Sequence, residues 1–490
     1  MTKGDSQGTL GNHYGRSRNN WLSTRRKMSP KWSRPALSAF SLAVFAALHP
    51  TFSQAAEEAW PETTPMPTAR PIEAAAPLAP DAINNAAAAI DVEEPPAPGE
   101  GPAATSEIDT IAIGSGGAPN FWKPEIHAGV TASVVFDDNI FITHENEVSD
   151  TIFVTSARMT LAFGNVESWA SRFIDTTARA LDAEDEGTEN LIALTYAPTA
   201  SFFADNNTLN SVDHDVAGTV RWTFNKLRVA FDGRFQTLSD PDEDLGRRAD
   251  RQVTNLHLTG IYDWSEKTRV QLEGTWVNRD YNVGNDSSQA EANGYFLFDV
   301  TPKTTIGFGF GAGELEQDQN PNQTYERAVA RFRYNSYSKL TLSLVGGVEL
   351  RQTDGGDDVS TGVFQVDIGY TPTDSTGFFL TASRRIEPSA NVLTQGIERT
   401  TFGLIYNQRL LQKLSLSTNL EYTLADYTTS GAVANESRSD DLWRFSMTLT
   451  FEVTQNGFVR LGYAYRENDS SREVVSYKSN QVILSATVLF

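Results

Sequence analysis

Residues 414–424 read Leu-Ser-Leu-Ser-Thr-Asn-Leu-Glu-Tyr-Thr-Leu, and this stretch decides the fold class. In an extended strand, successive side chains point to opposite faces, so the leucines and the tyrosine share one face and the polar residues share the other. The same period of two recurs in residues 340–351 and 443–452, and it continues through most of 121–490. Strands of soluble sandwiches average about five or six residues, and these segments are longer. The pattern predicts an all-β chain that forms a transmembrane, antiparallel, up-and-down β-barrel.

The connections between these segments alternate in length. Short turn sequences such as Thr301-Pro-Lys303 and Thr454-Gln-Asn-Gly457 recur at the spacing of one hairpin, and longer polar stretches such as Glu467–Ser476 lie between them. Short periplasmic turns alternating with long outer loops are typical of outer-membrane barrels, which have an even number of strands. Fourteen strands fit between Lys226 and Phe490. Four more are predicted upstream, at Ile126–Phe136, Thr151–Phe163, Leu191–Phe203 and Val216–Phe224. We therefore expect about 18 strands, within a range of 16 to 20.

Two places fit this pattern poorly. In residues 168–181 the apolar side chains recur at helical spacing, which predicts a periplasmic or pore-inserted helix. Pro198 falls inside a predicted strand, and because proline lacks an N–H donor it requires a bulge or a weakly paired position.

The first 120 residues have a different composition. A short basic segment from Met28, the apolar run 36–48 and the small residues 53–55 predict a signal peptide over residues 1–55, with an over-long leader and Met28 as the true start. Residues 56–120 are rich in proline and alanine and predict a disordered periplasmic tether, because they cannot bury a core. The barrel then occupies 121–490. We expect the mature chain to begin near Ala56.

Composition excludes several functions. The formal charge of −22 becomes −22 − 7 = −29 once residues 1–55, with eight Lys or Arg and one Asp, are removed. No nucleic-acid partner is expected, because phosphate binding needs a basic face. The absence of cysteine excludes thiolate metal sites and cysteine nucleophiles. The six histidines show no metal-ligand spacing. We expect no metal, no cofactor and no enzymatic activity.

The start of the barrel carries a resemblance to a known family. His127-Ala-Gly-Val-Thr-Ala-Ser-Val-Val-Phe-Asp-Asp-Asn-Ile-Phe141 is followed by a Ser-Asp pair at 149–150, and later by Asn320-Pro-Asn-Gln-Thr-Tyr325 and a terminal Phe490. This arrangement resembles the putative β-barrel porins with a DDNIF-like first strand. The resemblance covers about residues 122–490. It implies a non-enzymatic outer-membrane barrel, some relatives of which are associated with exopolysaccharide export, and it supplies no functional residues.

The lumen is the predicted functional surface. If the apolar faces meet lipid, a set of arginines points inward and is expected to line a pore: Arg327, Arg331, Arg333, Arg351, Arg385, Arg444 and Arg460. Acids expected on the same face include Glu273, Glu314, Glu349 and Glu421. Either these charges pair across strands in a wet interior, or they select solutes. Arg327, Arg331 and Arg333 form a short basic ladder with no facing acid on the same strand, which would suit carboxylate or phosphate groups.

Two further sites are predicted, one at the end of the first strand and one at the end of the last strand. Asp137 and Asp138 follow the first strand and could bind a cation, although a turn in which their side chains bond the local backbone explains them as well. Phe490 ends the last alternating strand and is the predicted assembly signal for the barrel assembly machinery.

Two functions from different classes remain. The first is an outer-membrane channel for polar solutes, anionic ones among them, or for exported polysaccharide. The second is a structural or surface-interaction barrel with a closed lumen and acidic binding loops. The expected partners are outer-membrane lipid and lipopolysaccharide, the assembly machinery through the C-terminal strand, and a periplasmic polysaccharide-export partner through 56–120.

Overall fold

The computed structural model describes residues 123–164, 190–335, 339–355, 358–373, 375–391, 394–429 and 438–490. Its strands are β1 Glu125–Asp137, β2 Asp150–Gly164, β3 Leu191–Phe203, β4 Ser211–Thr223, β5 Leu227–Leu238, β6 Pro241–Asp242, β7 Arg247–Arg248, β8 Arg251–Ser265, β9 Thr268–Tyr281, β10 Ser287–Thr301, β11 Thr304–Gln317, β12 Gln323–Asn335, β13 Leu340–Thr353, β14 Val359–Thr373, β15 Thr376–Glu387, β16 Thr394–Leu411, β17 Leu414–Thr429, β18 Arg438–Thr454, β19 Gly457–Ser470 and β20 Tyr477–Leu489. Two short 3-10 helices lie at Asn207–Leu209 and Glu473–Val475.

Eighteen of these strands form one closed antiparallel sheet. Each strand pairs with its neighbours in the chain, and β20 pairs with β1 to close the barrel. The predicted all-β barrel and its strand number are therefore confirmed. The two remaining strands, β6 and β7, form a small separate hairpin inside the connection between β5 and β8. No described helix is both long enough and apolar enough to cross a membrane.

The two faces of the sheet divide by polarity. The most exposed side chains on the barrel strands are large and apolar, for example Phe310 at 67% and Phe308 at 54%. The alternate positions are buried and largely polar, including Glu349 at 0% exposure. Lipid therefore meets the apolar face, and the polar face lines the interior. Glu314 was expected to point inward, but that prediction was wrong: it is exposed, and Leu315 next to it points inward and is fully buried. Glycines surround this position on β11, so little alternation in the sequence marks its face.

Strand ends agree closely with the sequence pattern at the short-turn end of the barrel and less closely at the long-loop end. The short turns lie where they were predicted, and β3 has the predicted ends. The polar stretch 280–292, which the spacing of the turns predicts to be an outer loop, is mostly strand, because β9 ends at Tyr281 and β10 begins at Ser287. Pro198 pairs with His214 on β4, whereas the paired register with β2 skips from Ser156 to Met159 opposite it. The proline therefore occupies a weakly paired position, as predicted.

The signal peptide, the tether and the helix predicted at 168–181 lie outside the described residues. The first and last strands meet at the end of the barrel that carries the short turns, where Phe490 N–H donates to Ala128 O over 2.8 Å. The long connections that the structure describes gather at the opposite end, which in outer-membrane barrels faces the outside.

Candidate channel lumen and its inserted loop

The interior arginines of β12 and β13 form an ion-paired cluster. Arg327 lies between two carboxylates, with Nη1 2.9 Å from Glu291 Oε1 and Nη2 2.7 Å from Glu349 Oε2. Glu349 also accepts from Arg351, whose Nη2 lies 2.8 Å from its Oε1. Both guanidinium groups stack on the ring of Tyr325. Each charge in the cluster thus has an opposite charge within contact distance.

Strand packing explains why these groups meet. The inward positions of β11 include Gly309 and Gly313, where an added Cβ would lie 2.3 Å from the Tyr295 ring and 2.4 Å from the Tyr325 ring. The two tyrosines therefore lie flat over β11 and bring β10 side chains towards β12. Arg331 stacks on Tyr295 with its Cζ 4.0 Å from the ring centroid, and its Nη2 lies 3.6 Å from Glu273.

The other arginines predicted to line a pore also occupy the inward face. Arg333 lies on β12 in the same alternation as Arg327 and is half-buried. Arg385 Nε lies 2.6 Å from Glu387 Oε1, and Arg460 Nη1 lies 3.4 Å from Thr487 Oγ1. The acids that pair with Arg327 and Arg331 lie on β9, β10 and β13 rather than on β12 itself. Sequence alternation within one strand cannot reveal such partners.

The connection from Ser239 to Asp250, here called the inserted loop, contains the β6–β7 hairpin. At its base, Arg251 Nη1 lies 2.8 Å from Asp240 Oδ1. Its turn needs Gly246, which adopts φ +61° and where a Cβ would lie 2.8 Å from Val475 Cγ1. Asp240, Asp242 and Glu243 are each at most 5% exposed. The loop is therefore packed against protein rather than extended into solvent.

The tip of the inserted loop docks on distant strands. Glu243 forms an ion pair with Arg444 of β18 and accepts a 2.7 Å hydrogen bond from Tyr477 Oη of β20. Arg438 donates to the backbone oxygen of Asp244 over 2.6 Å. The Asp244 carboxylate accepts from Ser389 Oγ over 2.8 Å, in the connection between β15 and β16.

These contacts carry the loop across the barrel mouth. Around the closed sheet, β4, β3, β2, β1, β20 and β19 separate β5 from β18 in one direction, and a longer series separates them in the other. Arg444 also pairs with Glu421 of β17, so it joins the loop to the opposite wall. The inserted loop therefore narrows the mouth of the barrel at its long-loop end.

Burial and pairing set the ionisation of the loop carboxyls. Burial raises the pKa of Asp240 to about 6, against the charge of Arg251, which lowers it. Burial and the neighbouring charge of Asp242 raise the pKa of Asp244 to about 6 as well. For Glu243, burial acts in the same direction, but Arg444 and Tyr477 outweigh it and hold its pKa below the ordinary value. In the docked loop, the ion pair with Arg444 thus stabilises the ionised form of Glu243. Asp240 and Asp244, on either side of it in the chain, have raised pKa values and take up protons more readily.

Sequence reasoning missed this loop. The available signal was its density of charge, since Asp240, Asp242, Glu243 and Asp244 fall within five residues and are followed by Arg247 and Arg248. Arg438, which anchors the tip, was also missed. The charge density of a connection does not distinguish a solvated outer loop from a loop that folds inward. The residues that the loop contacts on distant strands make that distinction.

The carboxylate oxygens of the predicted cation site, Asp137 and Asp138, accept hydrogen bonds from the protein. Asp137 Oδ1 accepts from Asn139 N–H over 2.8 Å, as in a turn that bonds its own backbone, and Oδ2 accepts from Gln481 Nε2 over 2.9 Å. Asp138 points elsewhere and accepts from the backbone and side chain of Asn480. Within the described ranges, no group of three or more acidic or histidine side chains could hold a metal ion.

The comparisons with known proteins bear on this barrel. The profile of the family described as putative beta-barrel porin 2 matches residues 344–490. The matched part begins within β13 and covers every later strand, including those that anchor the inserted loop. The resemblance noted over about residues 122–490 includes this matched part, and the first and last strands, β1 and β20, are neighbours in the closed sheet.

Solved structures of outer-membrane proteins are also similar. OpdK from Pseudomonas aeruginosa is 11% identical with a TM-score of 0.38, over 75% of this chain and 99% of that one. OccAB4 from Acinetobacter baumannii is 9% identical with a TM-score of 0.41, over 75% of this chain and 98% of that one. The alcaligin receptor FauA from Bordetella pertussis is 11% identical with a TM-score of 0.34, over 76% and 77%. A search of curated proteins finds no match.

The putative beta-barrel porin 2 match over residues 344–490 and the closed 18-stranded sheet support a porin-like barrel of the outer membrane. The family description and the fold favour a channel over an enzyme.

Proposed function

We propose that the protein is a channel for small anionic solutes and that the inserted loop is its constriction. The observation that carries this proposal is the docking of Glu243 on Arg444 and Tyr477 across the mouth. A carboxylate of the protein occupies a site built from a guanidinium and a phenol. An entering carboxylate or phosphate can take the same donors when the loop moves away.

The charge arrangement supports small anions in particular. Most of the lumen arginines identified above are neutralised by fixed acids of the wall, such as Glu349 beside Arg327. Arg438 and Arg444 differ, because part of their pairing comes from a loop rather than from the wall. Displacement of the loop therefore leaves donors with vacant positions at the mouth. A loop that crosses the mouth also disfavours the passage of a polysaccharide chain.

Conductance in planar bilayers tests the proposal. We expect wild-type channels to conduct, with anions more permeant than cations under a salt gradient. The Glu243→Gln variant, which weakens the tip contact, should show longer open times. Glu316→Gln is the matched control, because Glu316 is an exposed acid on β11 outside the lumen, and it should behave like the wild type.

The second candidate function is a structural or surface-interaction barrel with a closed lumen. The burial of the loop acids favours it, since a tightly packed mouth admits little. A variant in which residues 241–248 are replaced by a short Gly-Ser linker separates the two functions. No conductance in either the wild type or this variant would support the closed barrel. Conductance without a preference for anions would support the channel function and refute the proposal that its solutes are anionic.

A further inference from the structure

The wall of the barrel has an incomplete seam between β14 and β15. Their paired register runs from Thr373 and Thr376 up to Phe364 opposite Arg384 and stops there. Above that point, residues 359–363 pair only with β13, and residues 385–387 pair only with β16. All of these positions lie in the described part of the chain. The seam therefore opens at the long-loop end, whereas each strand stays paired on its other side.

The local sequence explains the opening. β15 ends before Pro388, which has no N–H to continue the ladder. At Gly362 on β14, an added Cβ would meet nothing within 4 Å. In the described part of the chain, side chains bridge the gap: Glu398 accepts a 2.7 Å hydrogen bond from Thr361 Oγ1 and forms an ion pair with Arg384. Side chains of this kind can part more easily than a backbone ladder.

A cavity of about 170 Å³ lies behind the seam. Strands β8, β9, β10, β12 and β13 contribute only inward-facing side chains to its wall. β14 and β15 contribute consecutive residues from both faces, including Phe364 and Ile386 of the outer face. The cavity therefore reaches between these two strands towards the lipid side. Its volume suits a headgroup and a few methylene groups, at roughly 30 Å³ per water-sized group.

Arg279 provides the second, independent feature of this cavity. Its side chain lines the cavity from β9, and its Nη1 is buried without a hydrogen-bond partner. Glu387, whose charge interacts with Arg279, already has Arg385 Nε 2.6 Å away and Arg399 Nε 3.2 Å away. A buried N–H donor without a hydrogen-bond partner costs free energy unless a ligand completes it.

We propose that this cavity binds a single-chain anionic amphiphile, such as a long-chain fatty acid, that enters or leaves through the seam. The carboxylate bonds Arg279, and the chain runs past Ile386 and Phe364 to the membrane. A guanidinium matches a carboxylate in charge and geometry. On the lipid side, the mouth of the cavity presents Phe364 and Ile386 beside the Arg384–Glu398 ion pair. The site differs from the constriction at the inserted loop and does not depend on solute passage through the lumen.

Photolabelling tests this proposal. The wild-type barrel in phosphatidylcholine nanodiscs is irradiated with a fatty acid that carries a diazirine in its chain, and labelled peptides are identified by mass spectrometry. We expect label near Phe364 and Ile386. Gly362→Trp should fill the mouth, and Arg279→Gln should remove the anchor, so each should lower the labelling about tenfold or more. Gly274→Trp is the matched control, because Gly274 is another strand glycine whose Cβ would meet nothing within 4 Å, on β9 away from the seam.

Three results would overturn the proposal. Label spread over the whole lipid face and unchanged in Arg279→Gln would mean nonspecific contact with the barrel. An equal loss in Gly274→Trp would mean that any bulky substitution disturbs the wall. Displacement of the label by benzoate as effectively as by unlabelled oleate would assign the cavity to small anions from the lumen. Conductance of the same variants reports separately on the proposed channel and should stay at the wild-type level in Gly362→Trp.

Discussion

Arg444 is the residue on which the inserted loop depends most. It is 5% exposed and pairs with Glu243 on the loop and with Glu421 on the neighbouring strand. Removing one partner of a buried ion pair costs about 3–5 kcal/mol, because the other charge stays buried without compensation. Part of that cost is relieved if Glu243 moves into water. Loss of Arg444 should therefore shift the loop from its docked to an undocked position.

Trypsin can measure this shift, because Arg247 and Arg248 lie in the loop. We expect Arg444→Gln to be cleaved there more than tenfold faster than the wild type, in intact barrels at pH 8. Arg460→Gln is the matched control, because it makes the same chemical change at a lumen arginine on β19 that lies 3.4 Å from Thr487 Oγ1. Equal cleavage of all three proteins would show that Arg444 does not hold the loop.

The loop carboxyls also predict a pH dependence. Asp240 and Asp244 have a pKa of about 6 in the docked loop and an ordinary value of 3.8, so the docked state binds more protons between these values. Docking should therefore strengthen as the pH falls from 6. Glu243 acts oppositely, but only below its ordinary value of 4.5, because its pKa is lowered. The groups facing these carboxyls are Arg251, Asp242, Arg438 and Ser389.

We accordingly expect single-channel open times to shorten between pH 7 and pH 5. The double variant Asp240→Asn and Asp244→Asn removes both titrating groups and should flatten this dependence. A pH response that persists unchanged in the double variant would assign it to other groups.

At the scale of the strand, alternation decides which substitutions the barrel tolerates. On β17, Leu420 lies on the outer face between Leu404 and Phe445, and Asn419 next to it points inward. Arginine on the lipid face costs about 2–4 kcal/mol near the midplane and less near the interfaces. Inward-facing positions already hold many arginines in this protein.

We expect Leu420→Arg to lower the free energy of unfolding in lipid vesicles by about 2–4 kcal/mol, and Asn419→Arg to lower it by much less. Urea titration followed by tryptophan fluorescence measures both. The same contrast should appear between Leu344→Arg and Ser343→Arg on β13, with a smaller penalty because Leu344 lies nearer the short turn. Comparable losses at neighbouring positions would mean that the faces are assigned wrongly.

At the scale of the whole molecule, stability rests on closure of the sheet by β1 and β20. Phe490 continues the β20 ladder beyond its last paired residue, and its N–H and C=O both bond Ala128. Its side chain is 74% exposed on the barrel surface. The residue therefore contributes to closure through its backbone and can be recognised through its ring.

Deletion of Phe490 should slow assembly and reduce the heat-modifiable form on gels, because the deletion removes both backbone bonds and the ring. Phe490→Tyr retains the backbone and an aromatic ring, and should assemble like the wild type. If Phe490→Ala assembles normally while the deletion fails, closure rather than recognition of the ring is the important role.

The fold was predictable because a barrel wall is a local pattern repeated many times. Residues such as Leu414 and Leu420 show their face through the period of two, and short turns mark the ends of the hairpins. Those signals predicted the 18 strands and the lipid face, and they failed where alternation is weak, as at Glu314 on glycine-rich β11. Inward positions of the arginines were predictable for the same reason.

The partners of those arginines were not predictable, because each depends on register between separate strands or on a loop that crosses the lumen. The sequence by itself determined the barrel, a strand number of about 18 and the sign of the inward charges, since these depend on neighbours along the chain. Only the tertiary structure decided that Glu349 neutralises Arg327, that Glu243 reaches Arg444, and that the β14–β15 seam opens above Phe364. Closing a sheet brings residues far apart in the chain into contact, and no local pattern encodes those distances.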